Sequence, residues 1–145
     1  MSKSRIFVAG HKGMVGTSII KLLLAKGEKN LVTKSHSDLD LSSQQDVVNF
    51  FKKVKIDQIY MAAAKVGGIY ANSKFPAEFI YNNLMIEANI IHSAFLCGIK
   101  KILFLGSSCI YPKKTKIPIK EEYLLSDKLE PTTEPYAIAK IVGIK

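Results

Sequence analysis

The chain has 145 residues, 48% of them hydrophobic, which suffices for one packed domain with its own core and argues against disorder. Its formal charge of +9 comes almost wholly from lysines scattered along the sequence, with Arg5 the only arginine, so nucleic-acid reading, which favours arginine, is not expected. Apolar stretches such as "SIIKLLLAK" are broken by lysine well short of membrane-spanning length, and "MSKSRIFVAG" lacks the features of a signal peptide, so a cytoplasmic protein with no membrane partner is expected.

In chain order, "RIFVAG" reads as a buried strand ending in glycine. Residues 15–26 follow as a helix with Val15, Ile19, Ile20, Leu22, Leu23 and Leu24 on its apolar face, closed by Gly27. "NLVT" is a second strand, and "LSSQQDVVNFFKKVK" a second helix opened by a serine cap. "IDQIYMAAA" is a third buried strand. A long helix then runs from "FPAEF" to about Cys97, and "KKILFLGSS" is a strand centred on Leu103, Phe104 and Leu105. Apolar strands alternating with amphipathic helices predict an α/β fold, a parallel sheet with helices on both faces. Residues 112–135 hold four prolines and read as a functional surface loop.

The long helix carries more apolar residues than one face needs. Ile80, Leu84, Ala88, Ile91 and Phe95 make the predicted core stripe, and Phe79, Met85, Ile86 and Ile90 widen it. Burial against a second subunit in a homodimer, through residues 76–97, is one expectation; burial under further chain is the other. Cys97, within this apolar stretch, is expected to be a buried small hydrophobe. Two cysteines suggest neither a disulfide framework nor a metal site.

Between the first strand and the first helix stands "GHKGMVG", with Gly10, Gly13 and Gly16 three apart. A tight turn, close approach of a phosphate to backbone N–H groups, and close strand–helix packing each call for a glycine, so a bound dinucleotide is expected. Which dinucleotide depends on the end of the second strand, "LVTKSHSD". Lys34 and His36, with Lys12 in the glycine loop, suit the 2′-phosphate of NADP; Asp38 is close enough to claim the 2′-hydroxyl of NAD instead. Asp40 and Leu41 are candidates to reach the adenine.

Near the C-terminus, "YAIAK" places Tyr136 and Lys140 on one helix face. An ammonium beside a phenol stabilises the phenolate, which makes the tyrosine a usable proton donor and acceptor. "FLGSSCIYP" places Ser107, Ser108 and Cys109 just past the carboxyl end of a central strand, where open parallel sheets bind ligands. Ser107 can hold a carbonyl oxygen that Tyr136 protonates while hydride reaches the carbon. Cys109 is either a reactive thiol or a structural one.

The strings "AGHKGMVG", "AAAKVGGI", "FLGSSCIYP" and "EPTTEPYAIAKIVGIK" resemble the extended branch of the short-chain dehydrogenase/reductase superfamily, and within it the GDP-sugar epimerase-reductases, across essentially the whole chain. The resemblance implies a Rossmann-like fold, NADP(H) as cofactor and a GDP-sugar as substrate. The implied reaction inverts C3 and C5 of GDP-4-dehydro-6-deoxy-D-mannose and reduces C4, giving GDP-L-fucose. Tyr136 would donate the proton in reduction, Lys140 would tune it and bind the nicotinamide ribose, Ser107 would bind the C4 oxygen, and Cys109 would be the epimerisation base. It implies cofactor contacts at His11, Met14 and Val15 beside the three glycines and Lys12. Further contacts would come from His36, Asp40 and Leu41, from Ala63 and Ala64, and from Leu105, Gly106, Ser107 and Ser108.

The family's epimerisation acid, a histidine, and most of its GDP-sugar pocket would lie downstream, outside residues 1–145. The chain is therefore expected to be an N-terminal portion or a truncated gene product, lacking the final strands, binding NADP weakly and turning over little. Other expectations are a different nucleotide-sugar epimerase or dehydratase of the superfamily, and a non-catalytic NADP-binding remnant.

Overall fold

A computed structural model describes residues 4–145. Its described residues divide into two compact units, residues 4–64 with 85–105, and residues 65–84 with 106–145. Among the described residues no helix is long and apolar enough to cross a membrane.

The first unit contains four parallel strands, β1 (Ile6–Ala9), β2 (Leu31–Val32), β3 (Gln58–Met61) and β4 (Lys101–Phe104), in the order β2-β1-β3-β4. Successive residues of β1 point to opposite faces, and both faces are covered. Phe7 and Ala9 pack with α2 (Gln44–Lys53) and with Ile90 and Ala94 of α4 (Pro76–Leu96). Ile6 and Val8 pack against Ile19, Ile20 and Leu23 of α1 (Met14–Ala25). A sheet sandwiched in this way is the expected Rossmann-like α/β architecture. The rings of Phe7, Phe50 and Phe51 form the centre of the larger core, at centroid separations of 5.0, 5.9 and 5.4 Å. Ser43 caps α2 as expected, its hydroxyl accepting from the Asp46 N–H at 3.3 Å.

Several sequence expectations fail here for identifiable reasons. Of the apolar face expected for α1 only Leu23 is buried, with Ile19 and Ile20 half-buried; Val15, Leu22 and Leu24 are exposed, because one strand-facing stripe is all that the sheet can cover. β4, expected to be central, is one of the two edge strands of the four and half-exposed, with Leu103 open on one side, and it ends at Phe104, so Leu105 lies just past it. The buried stripe of α4 is Phe79, Asn83, Glu87, Ile90 and Ala94, with Asn89 and Ser93 beside it, whereas Ala88 and Phe95 of the expected stripe are exposed. Cys97 lies just beyond the last turn of that helix and is exposed.

The second unit contains α3 (Ile69–Lys74), which the sequence reading passed over, the first half of α4, and α5 (Glu134–Ile144). Its core joins Ile110, Leu129, Ala137 and Ile141, with Cys109, Tyr111 and Leu124 packed against them. Residues 112–135 are thus more than a surface loop, since Leu124 and Leu129 anchor them from within. Asn83, fully buried, pins the chain at Lys65: its Oδ1 accepts from the Lys65 N–H at 2.9 Å and its Nδ2 donates to the Lys65 carbonyl at 3.0 Å. Asn72 does the same further on, donating to the carbonyls of Gly67 and Gly68.

Candidate active site

The glycine loop belongs to the first unit and leaves the carboxyl end of β1. Gly10 has φ +77°, and a Cβ there would stand 2.7 Å from the backbone of Ala62 and Ala63, just past β3. Glycine alone permits both the conformation and the approach. The sequence-adjacent strands part at this point, β2 on one side of β1 and β3 on the other, which is the switch point where open parallel sheets bind ligands. Gly16 is buried, and a Cβ on it would meet the Gly10 carbonyl oxygen at 2.1 Å. The turn is closed by Gly13 N–H donating to the Gly10 carbonyl at 3.0 Å, and Thr17 Oγ1 donates to the His11 carbonyl at 3.1 Å.

Gly13 is different. It is the N-cap of α1 at φ −73°, an ordinary extended conformation, and a Cβ there would meet nothing nearer than 3.4 Å. The fold does not require glycine at this position. A bare surface at the start of a twelve-residue helix, with Lys12, Met14 and Val15 all exposed beside it, fits a phosphate group held on the helix's free N–H groups. A pyrophosphate therefore fits the residues present. Ala63 and Ala64 lie half-buried beyond β3, and Leu105 continues the β4 ladder through its N–H to the Met61 carbonyl.

After β2, Lys34 and His36 are exposed, and the two acids are held by hydroxyls. Asp40 Oδ1 accepts from Ser42 Oγ at 2.6 Å and from Ser42 N–H at 2.9 Å. The Ser42 hydroxyl, then its N–H, hold the Asp40 carboxyl below the usual carboxylate range, and His36 adds to the shift. Asp38 is lowered in the same way, by the Ser35 hydroxyl first, then the Ser35 N–H, with Lys34 and Lys12 adding. Asn89 of α4, missed in the sequence, fastens this segment by donating to the carbonyls of Leu41 and Ser42, both at 3.0 Å.

The reactive groups belong to the second unit. Ser107 is extended, at φ −153° and ψ 152°, and starts one turn of 3-10 helix, Ser108–Ile110, by accepting from the Cys109 N–H at 3.3 Å. α5 packs directly on that turn through the core of Ile110, Ala137 and Ile141. Tyr136 in the first turn of α5 is half-buried and Lys140, one turn on, is 2% exposed. Taking an ammonium out of water is costly, so a lysine is an uncommon occupant of a buried helix position. Gly106 is exposed and would meet only flexible ends of Ile144 and Ile110 if it carried a Cβ. Ser107, Cys109, Tyr136 and Lys140 are thus brought to one helix and the turn it rests on; Gly10, Lys12, Gly13, Gly16, Ala63, His36, Asp40 and Leu41 lie in the first unit. Among the described residues no cluster of His, Cys, Asp and Glu is arranged to hold a metal.

Known proteins share this sequence and fold closely. The chain is 57% identical over 145 residues to the GDP-L-fucose synthase of Escherichia coli strain K12, covering 100% of this chain and 45% of the relative. It is 57% identical over 142 residues to GDP-L-fucose synthase 1 of Arabidopsis thaliana, covering 98% of this chain and 44% of the relative. The chain thus spans a little under half the length of the curated relatives it matches. A solved GDP-mannoheptose C4 reductase from Campylobacter jejuni with NADP bound superposes with a TM-score of 0.94 at 44% identity, over 99% of this chain and 46% of that one. The description of the NAD dependent epimerase/dehydratase family matches residues 6–145, and the chain belongs to that family.

Proposed function

We propose that these residues supply the dinucleotide-binding and reactive groups of an NADP-dependent epimerase-reductase that converts GDP-4-dehydro-6-deoxy-D-mannose to GDP-L-fucose. The observation that carries this is the packing of α5 on the 108–110 turn, which gathers a serine, a thiol, a phenol and a buried ammonium. Bound NADPH supplies the hydride for C4. Ser107 donates a hydrogen bond to the C4 oxygen, and its hydroxyl stabilises the charge that builds there whenever an adjacent carbon loses a proton or C4 is reduced. The Cys109 thiolate removes the protons from C3 and C5, which the neighbouring carbonyl acidifies, and the histidine acid that the resemblance implies downstream returns a proton to the opposite face of each carbon. Tyr136 protonates the C4 oxygen as the alcohol forms, and Lys140 stabilises the phenolate left behind and binds the nicotinamide ribose. The free thiols of Cys97 and Cys109 are consistent with a cytoplasmic setting.

The test is a chimera in which these 145 residues replace the matching segment of the E. coli relative. Given the GDP-keto-sugar, NADPH and deuterated water, it should oxidise NADPH and incorporate deuterium at C3 and C5, and Cys109→Ser should abolish the deuterium uptake. A chimera that binds NADPH yet does neither overturns the proposal. Reduction without exchange favours a C4 reductase, the activity named for the C. jejuni neighbour. A homodimer through residues 76–97 is supported by the outer face of α4, where Tyr81 and Phe95 are exposed and His92 stacks on Phe95 at 6.4 Å. Sedimentation of Phe95→Glu should then report monomer where the parent chain reports dimer.

A further inference from the structure

An acid placed after the second strand of this topology accepts the 2′-hydroxyl of an adenosine ribose and repels a 2′-phosphate. Asp38 is such an acid, and it is fully exposed, so nothing in the core restrains it. What restrains it is Ser35. Ser35 Oγ lies 2.5 Å from Asp38 Oδ2, and the Ser35 N–H donates to the same oxygen over a longer 3.3 Å. Ser37 Oγ, 2.8 Å from Ser35 Oγ, completes the cluster. The backbone closes the turn from the other side: the N–H groups of Asp38 and Leu39 both donate to the Ser35 carbonyl, at 3.1 and 3.0 Å, and Leu39 is buried in the core. Lys34 and the glycine-loop Lys12 are both near enough to act on the Asp38 charge. A carboxylate released from this turn would stand among the same cations that a 2′-phosphate needs.

We infer that Ser35 is a specificity-determining residue: its hydroxyl folds the Asp38 carboxylate back onto its own turn, leaving Lys12, Lys34 and His36 to receive the 2′-phosphate of NADP. The inference rests on the proposal that the chain binds NADP. Asp38 is silent because it is held, and the discrimination lies in a residue that touches no cofactor. Without the hydroxyl only the long N–H contact remains, and the side chain is free to turn toward Lys12.

The experiment is equilibrium titration of this chain with NADPH and with NADH, followed by nicotinamide fluorescence at fixed low salt, for the parent, Ser35→Ala, Ser35→Thr, Asp38→Asn and the Ser35→Ala/Asp38→Asn pair. The parent should favour NADPH. Ser35→Ala should narrow the NADPH-to-NADH affinity ratio by roughly three- to tenfold, the scale expected for one carboxylate brought within several ångströms of a phosphate in water, and added salt should shrink the effect. Ser35→Thr, which keeps the hydroxyl, should preserve the ratio, and Asp38→Asn added to Ser35→Ala should restore it. If Ser35→Ala weakens both cofactors equally, or the double variant stays as narrow as the single, the role given to Ser35 is wrong while the NADP reading stands. If the parent favours NADH or binds neither, the NADP reading fails and this inference falls with it.

Discussion

The loop of residues 10–16 and the 108–110 turn beneath α5 carry the two halves of the proposed chemistry, yet unlike forces hold them. In the first, side chains contribute little beyond the Thr17 hydroxyl bonded to the His11 carbonyl. Its form comes from backbone packed on backbone, at 2.1 Å for an added Cβ on Gly16 and 2.7 Å for one on Gly10. Side chains shape the second: Ile110, Leu129, Ala137 and Ile141 interlock and leave Ser107, Cys109 and Tyr136 on the periphery of that small core. A site of the first kind is intolerant of added atoms at its tight positions, Gly10 and Gly16, and indifferent to functional groups. A site of the second kind tolerates isosteric exchange and depends on which atoms can carry a proton. The contrast can be broken at either end.

The largest expected effect is chemical. In the chimera, Tyr136→Phe keeps the ring and its packing and removes only the hydroxyl, so NADPH oxidation should fall by roughly 10²–10⁴-fold, the usual worth of a positioned general acid. Unfolding free energy should move by about 1 kcal/mol, because the ring and its packing are kept and the hydroxyl belongs to a half-buried group. Steady-state rates and urea melts on the same preparations check both. A variant that melts far lower while keeping its rate would reverse the roles assigned to the two regions.

The next effect is steric and should run the other way. Gly16→Ala drives a methyl into the Gly10 carbonyl, and backbone cannot swing aside as a side chain would. Overpacking of this kind costs roughly 1–3 kcal/mol or more, a Tm lower by about 3–10 °C for a chain of this size. Gly13→Ala sharpens the point within the same loop. Its conformation suits alanine and its surroundings are open, so stability should change by less than about 1 kcal/mol. NADPH affinity should nevertheless fall by about tenfold or more, since the methyl occupies the space a phosphate needs. Thermal melts and NADPH titrations of the two variants separate a glycine kept by the fold from one kept by the ligand. Equal loss of stability in both would erase that distinction.

How much of this was legible in advance follows from the same contrast. Gly10, Gly13 and Gly16 were readable because glycine spacing between a strand and a helix reports backbone geometry directly. Tyr136 and Lys140 were readable because a separation of four is a helical turn, and Ser43 because a capping serine acts on its own neighbours. The buried face of α4 was not. Asn83 and Asn89 face inward because their amides meet backbone groups of Lys65, Leu41 and Ser42, up to 48 residues away in sequence. A hydrophobicity pattern assigns such residues to solvent, and so it turned the helix to the wrong side and moved Phe95 inward. The polar residues Asn83, Glu87, Asn89 and Ser93 on one side of the helix were the available signal, and buried asparagine needing a backbone partner is the reason behind it.

The smallest effect concerns the segment that Asn89 fastens. Asp40 has a folded-state pKa below its ordinary value, through its bonds to Ser42. A lowered carboxyl contributes stability that is fully present above the unfolded pKa of about 3.9 and disappears as pH falls through the folded value. At pH 7, therefore, the parent chain should be slightly more stable than Ser42→Ala, which loses the hydroxyl bond and keeps the N–H bond. The gap should stay constant down to about pH 4 and close below it, as the proton that neutralises Asp40 weakens the bond in the parent. Urea midpoints of the two proteins from pH 7 to pH 3 give the comparison, with all other carboxyls cancelling between them. The group is largely solvated, so the gap should be small. A gap that persisted unchanged as the pH fell would mean that Ser42 acts through packing against its neighbours, and that this turn belongs with the side-chain-held region after all.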